Sequence, residues 1–250
     1  MPIKPEEIKQ LQDKAKQIRR DTLTLAKENN GYHFGGSFSI IELLTSLYDK
    51  VLSEEDRFIL SKGHSCFPLY LLLREKGYEP KICGHPERDE KNGICATTGS
   101  LGHGLPFGVG KALGKKIKKE SGRIYVLMGD GECEEGTTWE SALLASHHKL
   151  DNLTIIVDNN GIQGSGRVEN ILSLGNLEKK FLAFGCDVSV IDGHDFNEII
   201  PALKKNPQEP YVIIAKTIKG KGVSYMENNP EWHSKFPDPE KLKQAYKELE

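Results

Sequence analysis

The sequence predicts an α/β fold with a mostly parallel sheet and helices on both faces. Short apolar runs at residues 123–128 and 153–157 have the length and composition of buried parallel strands. Residues 138–149 between them are suited to the crossover helix that two adjacent parallel strands require. Further apolar runs and helical segments alternate along the 250 residues, which is typical of this fold class.

The N-terminal part of the chain is predicted to be helical. Residues 6–29 place apolar side chains at helical spacing among charges, and this run ends at Asn29-Asn30-Gly31, a typical helix stop. Residues 39–52 form a second, more apolar helix, with Ser39 as its N-cap and Glu42 three residues later, as in a capping box. We expect one domain over residues 1–250 that includes an N-terminal helical segment at about 1–55.

The remaining elements are predicted from the same apolar patterns and turn residues. The first half of the chain continues with a strand at 57–60, a buried helix at 67–74, loops over 76–102 and a helix with several glycines at 105–120. The second half continues with a helix at 175–184, a strand at 187–191, a helix at 196–204, a strand at 211–216, a loop over 220–239 and a final helix at 239–249.

Composition excludes several classes of function. With 34 basic and 36 acidic residues the net charge is −2, so no nucleic-acid partner is indicated. No apolar run approaches the roughly 20 residues that span a bilayer, and the first 20 residues lack the apolar core of a signal peptide. The five cysteines are widely spaced with no C-x-x-C pair, which argues against a zinc or redox site. We expect a cytoplasmic protein with no membrane association.

Two polar clusters follow the central pair of predicted strands. Gly129-Asp130-Gly131 ends the first strand and Asp158-Asn159-Asn160-Gly161-Ile162 ends the second, with Asp130 and Asn160 30 residues apart. The carboxyl ends of neighbouring parallel strands are where open α/β sheets bind ligands. A carboxylate, an amide oxygen and a backbone carbonyl there suit Mg²⁺ or Ca²⁺ holding a diphosphate. Two ordinary strand-end turns are the alternative, and the spacing favours the metal site.

Histidines are concentrated in loops that contain glycine or turn residues. A single histidine of this kind usually makes structural hydrogen bonds, but five together indicate a polar pocket that handles protons and anions near neutral pH. Three others, His147, His148 and His194, have no special sequence context. The five loop histidines are His33, His64, His85, His103 and His233.

These motifs, taken in order, resemble the N-terminal, diphosphate-binding domain of transketolase over about residues 8–236. The resemblance implies the thiamine diphosphate-binding fold and transfer of a two-carbon ketol unit from a ketose to an aldose, with sugars or sugar phosphates as substrates. The matching segments are Arg57-Phe-Ile-Leu-Ser-Lys-Gly-His64, Gly84-His-Pro-Glu87, Thr97-Thr-Gly-Ser-Leu-Gly-His-Gly104, Gly129-Asp-Gly131, Asp158-Asn-Asn-Gly-Ile162 and Ala215-Lys-Thr-Ile-Lys-Gly-Lys-Gly222.

The resemblance also implies roles for single residues. The cofactors implied are thiamine diphosphate and Mg²⁺, with Ca²⁺ as a substitute. Metal ligands would be Asp130, Asn160 and the carbonyl of Ile162. The cofactor would also be bound by His64, Gly99, Leu101, Gly129, Gly131, Glu132 and His233. Catalytic groups around the substrate hydroxyls would be His33, His64, His85 and His103, and Glu135, with Glu140, would join a carboxylate network at a subunit interface or simply favour a helix N-terminus.

The chain departs from the family pattern in three ways. It has His33-Phe34-Gly35 where His-Pro-Gly is common, and His103 where many full-length members have Gln. It also ends before the pyrimidine-binding domain of full-length transketolases. We therefore expect the N-terminal subunit of a split enzyme, active with a C-terminal subunit that carries that domain, as a homodimer or an α2β2 heterotetramer.

Other functions compete with this hypothesis. The same half-site occurs in enzymes of the deoxyxylulose phosphate synthase and 2-oxoacid dehydrogenase types, and a degenerate half could serve only as a scaffold. The Gly84-His85-Pro86 segment and residues 97–102 favour transketolase, and the retained Asp130 and His64 argue against a scaffold. A dinucleotide-binding module lacks support because no G-x-G-x-x-G follows a predicted strand.

Overall fold

A computed structural model describes residues 3–250, so that Met1 and Pro2 of the predicted domain lie outside the described residues. Its main sheet has five strands: β1 (Arg57–Leu60), β2 (Ile124–Gly129), β3 (Leu153–Asn159), β6 (Asp187–Asp192) and β7 (Tyr211–Lys216). They are all parallel and lie in the order β1-β2-β3-β7-β6. A short antiparallel hairpin follows β3 and consists of β4 (Ile162–Gln163) and β5 (Gly166–Arg167).

Helices cover both faces of this sheet, because successive strand residues point to opposite sides. On β2, Tyr125 and Leu127 join one apolar cluster, while Ile124 and Val126 join the other. The first cluster contains α1 (Pro5–Glu28), α2 (Phe34–Phe38), α3 (Ile41–Ser46), α4 (Phe67–Glu75), α9 (Phe196–Leu203) and α10 (Pro239–Glu248). The second contains α5 (Gly104–Lys118), α6 (Gly136–His147), α7 (Val168–Ile171) and α8 (Leu177–Ala183). The predicted fold class is confirmed.

The prediction of one helix with a capping box over residues 39–52 is wrong in detail. Ser39 lies between α2 and α3, and its hydroxyl donates to Asp158 at 2.7 Å instead of capping a helix. Glu42 pairs with Arg19, and a π-helical turn at Leu47–Val51 ends the segment. Long-range polar contacts therefore replace the local capping interactions that the sequence pattern indicated.

The crossover predicted between β2 and β3 is present and brings the two polar clusters together. Helix α6 connects the strands, and the parallel register pairs Gly129 with Asp158. The residues that follow both strands therefore share one edge of the sheet, on the side where ligands bind in open α/β folds. Between residues 3 and 250, no helix has the length and apolar character to cross a membrane.

Candidate active site

Asp130 lies directly after β2 and is held by backbone amides. Its Oδ1 accepts the Gly131 N–H at 2.7 Å and its Oδ2 accepts the Gly161 N–H at 2.6 Å. The side chain is buried, and burial together with the nearby charge of Asp158 raises the pKa of Asp130 to about 6. This carboxylate is thus fixed in position at the sheet edge but has little countercharge of its own.

Asp158, the last buried residue of β3, orients Asn160. Its Oδ2 accepts hydrogen bonds from Lys62 Nζ at 2.6 Å and from Asn160 Nδ2 at 2.8 Å. Burial alone would raise the pKa of Asp158, but Lys62 outweighs it and holds that pKa below its usual range. Because the Asn160 amide donates to Asp158, its Oδ1 is on the other side, where it accepts the Ile162 N–H at 3.1 Å.

The β4–β5 hairpin places the carbonyl of Ile162 beside these side chains. The chain turns at Gly161 with a φ of +72°, a conformation that favours glycine. The Ile162 carbonyl accepts a hydrogen bond from Lys219 Nζ at 2.9 Å. Carboxylate, amide and carbonyl oxygens therefore lie around one cavity, and hard cations such as Mg²⁺ prefer such ligands.

Four of the five loop histidines form one cluster in this cavity. The ring of His33 is central, with ring-centroid distances of 5.3 Å to His64, 6.2 Å to His85 and 5.4 Å to His233. The rings come from the start of α2, the turn after β1, the loop before α5 and the turn at Pro230–His233. Tertiary folding thus brings together histidines that are up to 200 residues apart in the sequence.

The imidazoles of His33, His64 and His233 are neutral near pH 7 in the free chain. Burial lowers the pKa of His33 and that of His233 to about 4, and it lowers the pKa of His64 to about 2. The positive charges of Lys62 and Lys219 add to the effect on His64 and His233. These three rings are therefore each able to donate one hydrogen bond and accept another.

Two lysines in the cavity received no role from the sequence. Lys62 and Lys219 are 3% and 2% exposed, and burial, with the charge of Lys62, lowers the pKa of Lys219 to about 8. Lys219 Nζ lies 3.1 Å from Nδ1 of His233. A lysine followed by glycine at the end of a strand is the signal that could have identified both. Buried ammonium groups beside an oxygen-rich site are typical of anion binding.

The cavity contains nearly all of the predicted site residues and measures about 250 Å³. His103 and Glu135 are the exceptions, because both are exposed and stand at the starts of α5 and α6, outside its lining. Glu132 is buried, and its carboxylate is used by the amides of Gly102 and Gly129 at 2.8 Å and 3.2 Å. The predicted residues in the lining are His33, His64, His85, Gly99, Leu101, Gly129, Asp130, Gly131, Glu132, Asn160, Ile162 and His233.

Among the described residues, no group of three or more His, Cys, Asp or Glu side chains could hold a metal ion. The predicted ligand set is of a different kind, since it contains one carboxylate, one amide and one backbone carbonyl. All five cysteines are free thiols, and four of them are buried. A cysteine-based zinc site of the usual kind therefore has no support in the part of the chain that the structure describes.

Comparison with known proteins gives one consistent result. The family described as "Transketolase, thiamine diphosphate binding domain" matches residues 11–249. An apulose-4-phosphate transketolase subunit of Actinobacillus succinogenes is 41% identical, with 96% of each chain covered. The 6-deoxy-6-sulfo-D-fructose transketolase subunit SqwG of a Clostridium species is 38% identical, again with 96% of each covered.

Solved structures agree with the sequence relatives. The transketolase of Campylobacter jejuni superposes with a TM-score of 0.85 at 30% identity. The match covers 96% of this chain and 42% of that chain. The chain thus spans less than half of that transketolase, while it covers 96% of the two relatives named as separate subunits. The chain belongs to the transketolase family and represents its N-terminal, thiamine diphosphate-binding subunit.

Proposed function

We propose that this chain holds the metal and diphosphate end of thiamine diphosphate in a two-subunit transketolase that moves a two-carbon ketol unit from a ketose to an aldose. The observation that carries the proposal is the meeting of Asp130, Asn160 and the Ile162 carbonyl with a cluster of histidines in one cavity. The names of relatives of the same length, each a transketolase subunit, support it.

The metal ligands we propose are Asp130, Asn160 and the carbonyl of Ile162, with Mg²⁺ as the ion and Ca²⁺ as a substitute. The donor set fits, because it consists only of oxygen atoms and its one carboxylate is buried and has no ion pair with any residue from 3 to 250. Asp158 supports the set by fixing the Asn160 amide, and such outer hydrogen bonds typically orient metal ligands.

The diphosphate would lie against the two buried lysines and two of the histidines. Lys62 and Lys219 supply positive charge, and His64 and His233 supply ring N–H donors. The N–H of Gly131 already donates to Asp130, so this glycine would contribute mainly the space for close approach. The lysines match the charge of a diphosphate better than the neutral histidines do, and we assign them the larger part of its binding.

When bound, thiamine diphosphate supplies the carbanion that takes up the two-carbon unit. The chain's own contribution is to orient that group and to exchange protons with the sugar hydroxyls through His33, His64 and His85. His33 and His64 are neutral at pH 7, which allows each of these two rings to accept a proton at one nitrogen while it donates from the other. His103 and Glu135 lie outside the cavity lining and would act only where a partner surface closes over them.

The chain exposes apolar side chains on two adjacent helices. On α5, Phe107 and Ile117 are 36% and 72% exposed, and on α6, Leu143 and Leu144 are 61% and 45% exposed. We propose that this surface contacts a C-terminal subunit with a pyrimidine-binding domain, giving an α2β2 heterotetramer. A cavity of about 250 Å³ is small for a whole cofactor, because small-molecule pockets usually measure about 300–1,000 Å³. Its size supports a site that the partner completes.

We propose the class of substrate and the cellular compartment from fewer observations. One relative is named for a sugar phosphate and another for a sulfo-sugar, which supports a ketose donor with an anionic group. Free thiols at all five cysteines support a cytoplasmic protein.

Reconstitution tests the proposal. The purified chain with thiamine diphosphate and Mg²⁺ should be inactive in ketol transfer from a ketose phosphate to an aldose, and addition of the co-purifying partner subunit should restore turnover. Full activity of the chain alone would refute the assignment to a two-subunit enzyme. A complex that binds the cofactor tightly but transfers no ketol unit from any of several ketose phosphates would refute the transketolase assignment.

A further inference from the structure

A buried polar network lies behind the candidate site and joins three segments of the chain. Arg19 of α1 forms a two-point contact with Glu42 of α3, with Nη1–Oε1 and Nη2–Oε2 distances of 2.8 and 2.9 Å. His194, in the loop between β6 and α9, places its Nδ1 3.0 Å from Glu42 Oε2. Arg19 and Glu42 are 3% and 6% exposed, so these charges interact out of water.

The hydrogen bonds of His194 determine where its proton lies. Its Nε2 accepts the backbone N–H of Ile218 at 2.8 Å and must therefore carry a lone pair. The proton is then on Nδ1 and is donated to Glu42. Burial alone would raise the pKa of Glu42, but Arg19 and His194 outweigh burial and lower it to about 2, so the acceptor is a carboxylate.

The Ile218 N–H belongs to the segment that carries Lys219. This segment has two further anchors, since the Gly220 N–H donates to the Gly35 carbonyl at 3.0 Å and Arg19 Nε donates to the Lys221 carbonyl at 2.8 Å. Between these fixed points, Lys219 directs its ammonium into the cavity and reaches the Ile162 carbonyl. The network therefore determines the backbone on both sides of a cavity lysine.

We propose that His194 is a positioning residue of the active site. It holds the Ile218 N–H in place so that Lys219 faces the diphosphate end of the cofactor, and the Arg19–Glu42 pair keeps the imidazole in the tautomer that can do this. The part that concerns the diphosphate rests on the function proposed above. The hydrogen bond to Ile218 does not depend on it, and the two parts can be tested separately.

A pair of substitutions distinguishes positioning from simple space filling. In His194→Gln the amide oxygen reaches the former position of Nε2 and can still accept the Ile218 N–H. In His194→Asn the shorter side chain retains a donor near Glu42 but cannot reach Ile218. Both variants remove the ring, so a role in packing alone predicts similar effects, whereas the proposed role predicts that only Gln preserves the segment.

The first measurement is amide hydrogen exchange of the full chain without cofactor, read on peptides that contain residues 217–222. His194→Asn should accelerate exchange at the Ile218 amide by about tenfold, as expected for loss of one net hydrogen bond, and His194→Gln should stay within about twofold of the wild type. Equal acceleration in both variants, or none in either, would overturn the proposal. If the Asn variant does not fold, loss of slow exchange in the Gln variant overturns it by itself.

The second measurement is the affinity of the chain with its partner subunit for thiamine diphosphate in the presence of Mg²⁺. We expect His194→Asn to weaken binding by about tenfold, His194→Gln by no more than about threefold, and Lys219→Met to weaken it strongly. Adding His194→Asn to Lys219→Met should have little further effect, since both act through one ammonium. Additive losses would overturn the proposal. Failure of the wild-type complex to bind the cofactor would instead refute the proposed function. The hydrogen-exchange measurement would then test the role of His194 by itself.

Discussion

The substitution Asp130→Asn separates the proposed metal site from the stability of the fold. The two side chains have nearly the same shape, so the change removes one negative charge and leaves packing intact. Asp130 is buried and receives one backbone N–H on each oxygen, from Gly131 and Gly161. In Asp130→Asn the new side chain keeps one acceptor oxygen and presents an NH2 group where the second carboxylate oxygen was.

The effect on stability should be small because two contributions oppose each other. The pKa of Asp130 is raised from 3.8 to about 6, mainly by burial, so at pH 7 the ionised side chain destabilises the folded chain by about 3 kcal/mol. For a raised carboxyl pKa this penalty is fully present above about pH 6 and is lost as the pH falls from about 6 to 3.8. The variant lacks the penalty but leaves one backbone N–H without its acceptor, which costs about 1–3 kcal/mol. We expect the free energy of unfolding to change by less than about 2 kcal/mol.

The effect on cofactor binding should be much larger. Asp130 is the only carboxylate among the proposed metal ligands, and removing one partner of a buried charge pair costs about 2–5 kcal/mol. This corresponds to a loss of affinity for thiamine diphosphate with Mg²⁺ of about 30-fold or more. The matched control is Asp151→Asn, which removes an exposed carboxylate just before β3, at the end of the strand away from the site.

Isothermal titration of the complex with its partner subunit measures the affinity, and urea denaturation of the chain measures the stability. The proposed metal site is wrong if Asp130→Asn folds normally and binds the cofactor as tightly as the wild type, or if Asp151→Asn weakens binding equally. A loss of stability well above 3 kcal/mol would show that the two amide contacts of Asp130 matter more than its buried charge.

Three further predictions concern the cavity and the helix beside it. His64→Ala should weaken cofactor binding, whereas His85→Ala should lower turnover with the cofactor still bound. Steady-state kinetics combined with a cofactor titration distinguishes the two effects. If His85→Ala mainly lowered the affinity for the cofactor, the assignment would be contradicted. Gly104→Ala should destabilise the chain by about 1–3 kcal/mol, because an added Cβ would lie 2.6 Å from the Cα of Ser61. Gly114→Ala in the same helix adds a Cβ in open space and should stabilise the chain slightly. Urea denaturation measures both effects. Burial lowers the pKa of His64 to about 2, so the unfolded chain takes up a proton at this histidine before the folded chain does. The free energy of unfolding should therefore fall as the pH is lowered from about 6.5 towards 4. Urea midpoints over this range should fall less steeply in His64→Gln, and an unchanged slope would argue against a buried neutral imidazole.

Local sequence patterns were sufficient for the fold class and for much of the site. The sequence has apolar runs before Asp130 and Asn160 and a helical segment between them. This pattern predicts a β-α-β crossover. Adjacent parallel strands must place their carboxyl ends together, so the meeting of these two residues followed from spacing alone. The five histidines in loops with glycine or turn residues indicated a pocket, because so many together are typical of a site that handles protons and anions.

Contacts between distant segments could not be read in the same way. The local pattern predicted a capping role for Ser39 and Glu42, but Asp158 and Arg19, which are 119 and 23 residues away, use these side chains instead. His194 had no special context and yet connects Glu42 with the segment that carries Lys219.

Periodicity and chain connectivity are local properties, and they were enough to predict the five main strands and which strand ends meet. The folded arrangement was needed to show which charges are buried together, which amide orientation and tautomer they impose, and that Lys62 and Lys219 face the cavity. Those features depend on desolvation and on hydrogen bonds between segments far apart in the chain. These interactions form only when the chain folds.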